Sequence, residues 1–366
     1  MNLAAPAVDP RAGVDERARR QPARRRVLAW GVLVLLVVVV GLLALGVGPV
    51  SLTAGQIGRA LIAQTGLLAS DDQMVQAVVW QIRLPRAVFG FLIGGALGIA
   101  GASLQGLFRN PLADPGLIGI SAGAATAAVA VIVLGEPVIA MLPDGLGLWL
   151  LPVAAFVGSL IATWVVYRIS QKDGRPVVAT MLLAGIAINA VAGAITGILV
   201  FLARDDQIRD LTFWSLGSLA AASWEKVGIL LPFVLVLLLA APRFSRALNA
   251  LLLGEAEAGH LGFDTDRLKR WLIVVVTLAV GGGVAFAGTI GFVGLVVPHL
   301  IRLSVGPDHR FLLPASALLG AAVLTGADTV ARTIASPAEL PIGVVMALVG
   351  GPFFLWLLMR SRGTWQ

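Results

Sequence analysis

Apolar residues in this chain arrive in blocks, and the blocks are about the length of a bilayer crossing. At a rise of about 1.5 Å per residue, some 20 residues of helix cross a hydrocarbon layer of about 30 Å. Blocks of that kind predict helices over 27–47, 86–108, 116–134, 147–168, 177–203, 224–242, 271–287, 290–303, 311–331 and 341–359. Between Trp271 and Ile301 there are 31 residues without a charge. As one helix they would extend about 46 Å, too long for one crossing. Gly281, Gly282, Gly283, Gly288, Gly291 and Gly294 interrupt the run. It therefore reads as two helices joined by a tight turn near Gly288, the second one short. The expected fold is an all-α polytopic membrane protein of about ten transmembrane helices.

The polar stretches between the blocks are mostly short. The exception is a charged island, about 243–270, from Arg243 to Arg270. Within it Leu248, Leu251 and Leu252 recur at helical spacing, Gly254 breaks the pattern, and Glu255–Leu261 forms a second short turn before Gly262. A folded polar hairpin at the edge of a membrane domain offers a surface to a soluble partner. An amphipathic loop resting on lipid headgroups is the plainer alternative. Residues 1–26 carry Arg11, Arg17, Arg19, Arg20, Arg24, Arg25 and Arg26 and are expected to form a disordered basic tail. The remainder, 27–366, is expected to be a single membrane domain. The apolar run that follows the tail has 21 residues (27–47). It exceeds a typical signal-peptide core and reads as an uncleaved first helix.

Composition agrees: 58% of residues are hydrophobic and 13% charged, with a mean hydropathy of +0.92. No soluble domain of this length has that balance. The absence of cysteine removes disulfides and thiolate metal sites. A formal charge of +7 belongs to membrane-facing loops here and implies lipid contact, with no nucleic-acid partner. Ten spans with both termini in the cytoplasm place 20 of the 27 basic residues inside and seven outside, as the positive-inside rule asks. Nine spans would turn Arg360 and Arg362 outward. In the ten-span arrangement the 243–270 island faces the cytoplasm.

Much chemistry is missing. None of Lys172, Lys226 and Lys269 follows a Gly-x-x-x-x-Gly pattern, so no phosphate-cradling loop is present and this chain does not hydrolyse ATP itself. His260, His299 and His309 have no metalloprotease spacing. Neither catalytic residues nor a metal site are expected. His260 and His309 fall in cytoplasmic loops, and His299 follows Pro298, where it is expected to bond a freed backbone group. Asp328 is the main acidic residue inside a span, and Arg332, four residues on, is positioned to pair with it. So few mid-membrane carboxylates count against proton- or sodium-coupled transport.

Two short stretches remain. Trp80–Arg86 (WQIRLPR) places Arg83 and Arg86 on the outer side against the charge bias, which suits either an interfacial anchor or an acidic partner. Arg109–Gly116 (RNPLADPG) is a rigid inner turn. Together with GASLQGLFRNPLADPGLIGIS (101–121), LLAGIAIN (182–189), LLLGEAEAGHLG (251–262), AGTIGFVGLVVPHLIRL (287–303), DHRFLLP (308–314), ADTVAR (327–332) and ELPIGVV (339–345), they resemble the permease subunits of ABC importers for haem, iron–siderophore complexes and cobalamin. The resemblance runs from Trp80 to Met359. The outer segment 204–219 is most similar to haem-uptake members.

The resemblance implies a multi-pass protein of the bacterial inner membrane that moves haem inward by alternating access, with ferric siderophore or cobalamin as alternative cargo. It implies a homodimer, two cytoplasmic ATPase subunits that bind ATP and Mg2+, and a periplasmic binding protein; this chain itself needs no cofactor. By position, Leu253, Gly254, Glu255, Glu257, His260, Leu261 and Gly262 match the loop that couples to the ATPases. Asn110, Pro111 and Leu112 match one cytoplasmic gate, Val177 and Val178 a second, and Arg83, Arg86 and Arg332 the outer arginines that receive the binding protein. An autonomous secondary transporter is the alternative from another class.

Overall fold

The computed structural model describes residues 16–63, 72–143 and 145–361. Residues 1–15 of the basic tail, and Arg362, lie outside the described residues. The chain is a helix bundle: α1 (Glu16–Gly46), α2 (Ala54–Ala63), α3 (Gln73–Ala77), α4 (Leu84–Leu107), α5 (Ile120–Leu134), α6 (Glu136–Met141), α7 (Gly147–Ile169), α8 (Val178–Leu202), α9 (Asp205–Leu216), α10 (Trp224–Leu251), α11 (Glu255–His260), α12 (Thr265–Ala287), α13 (Val293–Val305), α14 (His309–Ile334) and α15 (Ile342–Ser361). Each of the ten expected crossings has its helix: seven are long and apolar enough to span a membrane, and α5, α13 and α15 are shorter apolar helices. The uncharged run does divide in two, at Gly288, which has φ +72°.

Three boundaries differ from expectation. Helix α1 begins at Glu16, so residues 16–26, expected to be disordered, are helical. The second crossing starts well before 86. A π-helical turn, Val78–Arg83, joins α3 to α4 in one apolar helix of 35 residues. Pro85 has no N–H to give and crowds the preceding turn, and the wider turn with Leu84 N–H bonded to Val79 O absorbs the fault. The island does not begin with a separate helix either, because α10 runs through Pro232 and Pro242 to Leu251. An interior proline costs about 3 kcal/mol. Leu248 and Leu251, 0% and 2% exposed, each return about 1.5–3 kcal/mol on burial, enough to carry the helix past Pro242.

Helix α4 occupies the centre and is buried from Pro85 to Leu107 apart from Val88, Leu92 and Phe91 on one side. It lies against α14 at close range. A Cβ on Gly94 would strike Gly320 O, and one on Gly98 would strike Ser316 O, the small-residue contact expected where helices pack inside a membrane. By contrast α1 and α8 are largely exposed along their apolar spans. Leu183, Ile186, Val191, Ile195 and Ile198 face outward on α8, as they would toward lipid or a second copy.

The bundle has two distinct ends. One carries α11, the 109–119 turn and the start of α14, knitted by Asn249 Nδ2 to Asp308 Oδ1 at 2.8 Å and Arg26 Nη2 to Asp308 Oδ2 at 3.1 Å. The other carries α2, α6 and α9, joined by Trp224 Nε1 to Trp80 O at 2.8 Å and Ser218 N to Ala287 O at 2.8 Å.

Candidate functional site

At the α11 end, two glycine-dependent turns make a hairpin that stands off the bundle. Leu253 N and Gly254 N still donate to Ala250 O and Leu251 O, at 3.0 and 3.1 Å, as α10 unwinds. Gly254 then takes φ +138°, ψ 157°, a region that strains any residue with a side chain. Helix α11 follows, pinned by fully buried Ala258, and Gly262 at φ +85° turns the chain back. What the hairpin leaves outside is apolar: Leu252, Leu253 and Leu261 are 43%, 67% and 60% exposed. Glu255, Glu257 and His260 are exposed around them. An apolar knob with a charged rim is how an unoccupied protein interface looks.

Beside the hairpin lies a two-stranded ribbon, Gln171–Lys172 paired with Arg175–Pro176. Asp173 and Gly174 form its turn with φ +52° and +76°, the two-residue geometry that an Asp-Gly pair favours. Pro176 leads directly into Val177, which is extended at φ −97°, ψ 119°, and Val178 opens α8. A cleft of about 730 Å³ separates ribbon and hairpin, lined among others by Val177, Val178, Ala179, Glu255 and Ala256. Two groups predicted separately, the second gate and the head of the coupling loop, thus share one cleft.

The segment expected to form the other gate, Asn110–Leu112, is an exposed turn. Arg109 enters it at φ +50°, Asn110 Oδ1 accepts Leu112 N at 2.9 Å, and Leu112 is 40% exposed. Through Pro115–Ile118 the turn rests on α8, where Asn189 Nδ2 donates to Gly116 O at 3.1 Å.

The outer arginines are a correction. Arg83, Arg86 and Arg332 are 4%, 8% and 4% exposed, so they present no charged surface to a docking protein. Arg83 Nη1 donates to Leu45 O and Gly46 O at 2.6 and 3.0 Å, and its Nη2 bonds Val50 O. Arg332 Nη2 bonds Ala44 O. Both therefore satisfy the carbonyls that α1 leaves open at its C-terminus, where positive charge is favoured. Arg86 holds Asp328 through Nε at 2.9 Å and Nη2 at 2.8 Å, and Glu339 through Nη1 and Nη2 at 2.9 and 2.8 Å. Asp328 is consequently bound to Arg86 in place of the expected Arg332. The Arg86 hydrogen bond holds the Glu339 carboxyl below its ordinary pKa.

Two histidines also differ from expectation. His309 is not a loop residue: it opens α14 at 1% exposure, with Nδ1 2.8 Å from Asn249 Oδ1. Neither ring nitrogen of His299 has a hydrogen-bond partner among the described residues, so it does not cap the backbone freed by Pro298; its ring packs on Phe353 at 6.2 Å. Sequence reasoning missed Lys269 altogether. It is 2% exposed, bonds Glu255 Oε1, and donates to Pro176 O at 3.1 Å. The spacing of Asp266 and Lys269 was the available signal.

A ten-span bundle with a protruding hairpin of exposed leucines rimmed by charge has the form of a transport subunit. Residues 35–360 match the model of the FecCD transport family, and the chain belongs to that family. Over 340 residues it is 42% identical to the hemin transport system permease protein of Yersinia pestis, covering 92% of this chain and 96% of that one. It is 47% identical over 290 residues to a cobalamin import system permease protein of Halobacterium salinarum, covering 79% and 75%. A solved metal-chelate type ABC transporter in an inward-facing conformation superposes with a TM-score of 0.78 at 30% identity, covering 91% of this chain and 99% of that one. The protein is a multi-pass permease of an ABC importer in the bacterial inner membrane.

Proposed function

We propose that this permease carries haem inward as a homodimer driven by two cytoplasmic ATPase subunits, with a periplasmic binding protein delivering the cargo. The observation that carries the haem reading is the alignment with the hemin permease, which spans nearly the whole of both chains. The 204–219 segment, folded as α9 and its flanks at the end opposite α11, adds the resemblance to haem-uptake members. A cobalamin cargo is the second reading, favoured by the higher identity to the Halobacterium salinarum relative over a shorter stretch.

In this reading Leu253, Gly254, Glu255, Glu257, His260, Leu261 and Gly262 meet the ATPase subunits, which bind ATP and Mg2+ themselves. Asn110–Leu112 and Val177–Val178 narrow the cytoplasmic exit. Docking of the binding protein passes from the three buried arginines to exposed side chains of the opposite end. Arg59 on α2 is one such exposed base. The bound carboxylates would favour fast, salt-sensitive association.

The test is reconstitution of the permease with its ATPase subunits in proteoliposomes. Binding proteins loaded with haem, a ferric siderophore or cobalamin are supplied in turn. Haem-dependent stimulation of ATP hydrolysis together with haem uptake is expected. Stimulation by cobalamin alone would transfer the assignment to the second reading. Uptake without ATP would make the chain a secondary transporter.

A further inference from the structure

Lys269 is the one lysine of this chain that lies inside the protein, and its position is peculiar. It sits on the second turn of α12, which packs mainly on α10, α7, α4 and α5, yet its ammonium bonds none of those four helices. It takes the carboxylate of Glu255, the first residue of α11, and the carbonyl of Pro176, the last residue of the ribbon. Asp266 Oδ1 stands 3.6 Å away on the same helix. Its side chain is 3% exposed while that of Glu255 is 51% exposed. An ammonium taken out of water must keep its partners, because losing one leaves a buried charge uncompensated. The two partners here belong to segments with few other holds on the bundle. α11 is a six-residue helix, and the ribbon is two residues per strand. The ribbon's other tie to α12 is Arg175 Nε to Asp266 Oδ2 at 3.7 Å, with the arginine side chain 80% exposed, a pair worth little in water.

We propose that Lys269 is the positioning residue that links the ATPase-docking hairpin to the gate: movement of Glu255 is carried through its ammonium to the Pro176 carbonyl, and so to Val177 and Val178. This rests on the reading of 253–262 as the ATPase surface. A displacement of α11 either drags the ammonium and its carbonyl along or strips a buried cation of a partner. The cleft between hairpin and ribbon supplies the room for that movement. An apolar contact could slide; a charge-assisted hydrogen bond holds direction and distance.

The experiment uses the complete permease with its ATPase subunits in proteoliposomes. Lys269→Met keeps the length and apolar stem of the side chain and removes the charge, and Lys269→Arg keeps the charge. In Lys269→Met the ATPase subunits should stay bound and hydrolyse ATP within about two-fold of wild type, while uptake falls at least ten-fold. Lys269→Arg should recover at least a third of uptake. Spin labels at Ala179 and Ala256, which both line the cleft, should change separation with nucleotide in wild type and Lys269→Arg, and cease to do so in Lys269→Met. Wild-type uptake and a nucleotide-dependent distance in Lys269→Met would overturn the proposal. Loss of ATPase binding in that variant would overturn it too, by making Lys269 a support of the docking surface. Should Lys269→Met not fold, Lys269→Gln, a neutral donor too short to bridge Glu255 and the Pro176 carbonyl, is read in its place, with the same loss of uptake at retained hydrolysis. The underlying reading is checked separately: a cysteine at Leu253 in this cysteine-free chain must cross-link to an ATPase subunit. If it does not, the docking surface is wrong whatever Lys269 does.

Discussion

Arg86 and Lys269 are both buried cations, one near each end of the bundle, but their partners differ in kind. Arg86 takes Asp328 from the middle of α14 and Glu339 from the segment leading to α15, so both its anchors belong to the packed frame. Lys269 takes one carboxylate from a protruding hairpin and one carbonyl from a short ribbon. The same chemistry gives a lock in the first case and a link in the second, because what an ion pair does depends on how firmly its partners are held elsewhere. Arg83 and Arg332 extend the lock by closing the end of α1. The end with α2 and α9 is thus built to hold its shape. The α11 end leaves leucines and acids outside and two loosely held segments around a cleft.

The sharpest way to break this contrast is to remove the lock. Arg86→Ala strands two carboxylates, one of them with a side chain only 5% exposed. Breaking a buried pair of this kind costs about 3–5 kcal/mol. A large drop in Tm of the detergent-purified protein is expected, with loss of the folded species at physiological temperature. If Arg86→Ala kept its Tm and lost only affinity for the binding protein, Arg86 would be a docking residue after all.

At the other end the same test should leave the fold standing. Gly254→Val forces a branched side chain into φ +138° and against the Glu257 carboxylate. The strain, about 1–3 kcal/mol, falls on a hairpin at the surface. The protein should therefore purify normally while uptake falls more than ten-fold. A misfolded Gly254→Val protein would show that the hairpin belongs to the frame.

A smaller effect is expected from Leu253→Ser. The leucine is 67% exposed, so its removal should change stability by no more than about 0.5 kcal/mol. Association with the ATPase subunits, measured by titration, should weaken several-fold, because exposed apolar area is what an interface core buries. Unchanged association would move the contact to the acidic rim of the hairpin.

The contrast itself was only half legible in the sequence. The crossings were legible because each lies in one contiguous block whose apolar length answers to the bilayer. The hairpin was legible because its turns need glycine, and Gly254 and Gly262 stand where they turn. The Asp173-Gly174 turn carried an equally plain signal that went unread. The lock was hidden for a different reason. Arg86 meets carboxylates 242 and 253 residues away, and Arg83 meets backbone carbonyls, which no letter of a sequence records. An arginine beside a proline at a predicted helix mouth looks the same whether it faces water or closes a neighbouring helix. Likewise α10 overran Pro242 because Leu248 and Leu251 find a buried site, and burial is a tertiary fact.

The finest test of the lock is its dependence on pH. Glu339 is the exposed member, its side chain 36% accessible, and Arg86 depresses its pKa. A carboxyl whose folded pKa lies below its unfolded value stabilises the fold above the unfolded value, about 4.3 for glutamate. That contribution is lost as pH falls through the lower, folded pKa, because only then does the native carboxylate take up its proton. Solvent screening at a half-open site keeps the contribution below about 1 kcal/mol. Glu339→Gln removes the titration but preserves an acceptor for Arg86. Its Tm should lie slightly under that of wild type at neutral pH, and the two should converge as pH falls through the acid window. The measurement is a set of thermal melts of both proteins from neutral to acid pH in one detergent. A gap that stays constant across that range would mean that the Glu339 charge is not part of the lock. Arg86 would then hold α4 to α14 through Asp328 alone, and the segment before α15 would be as free as the ribbon at the opposite end.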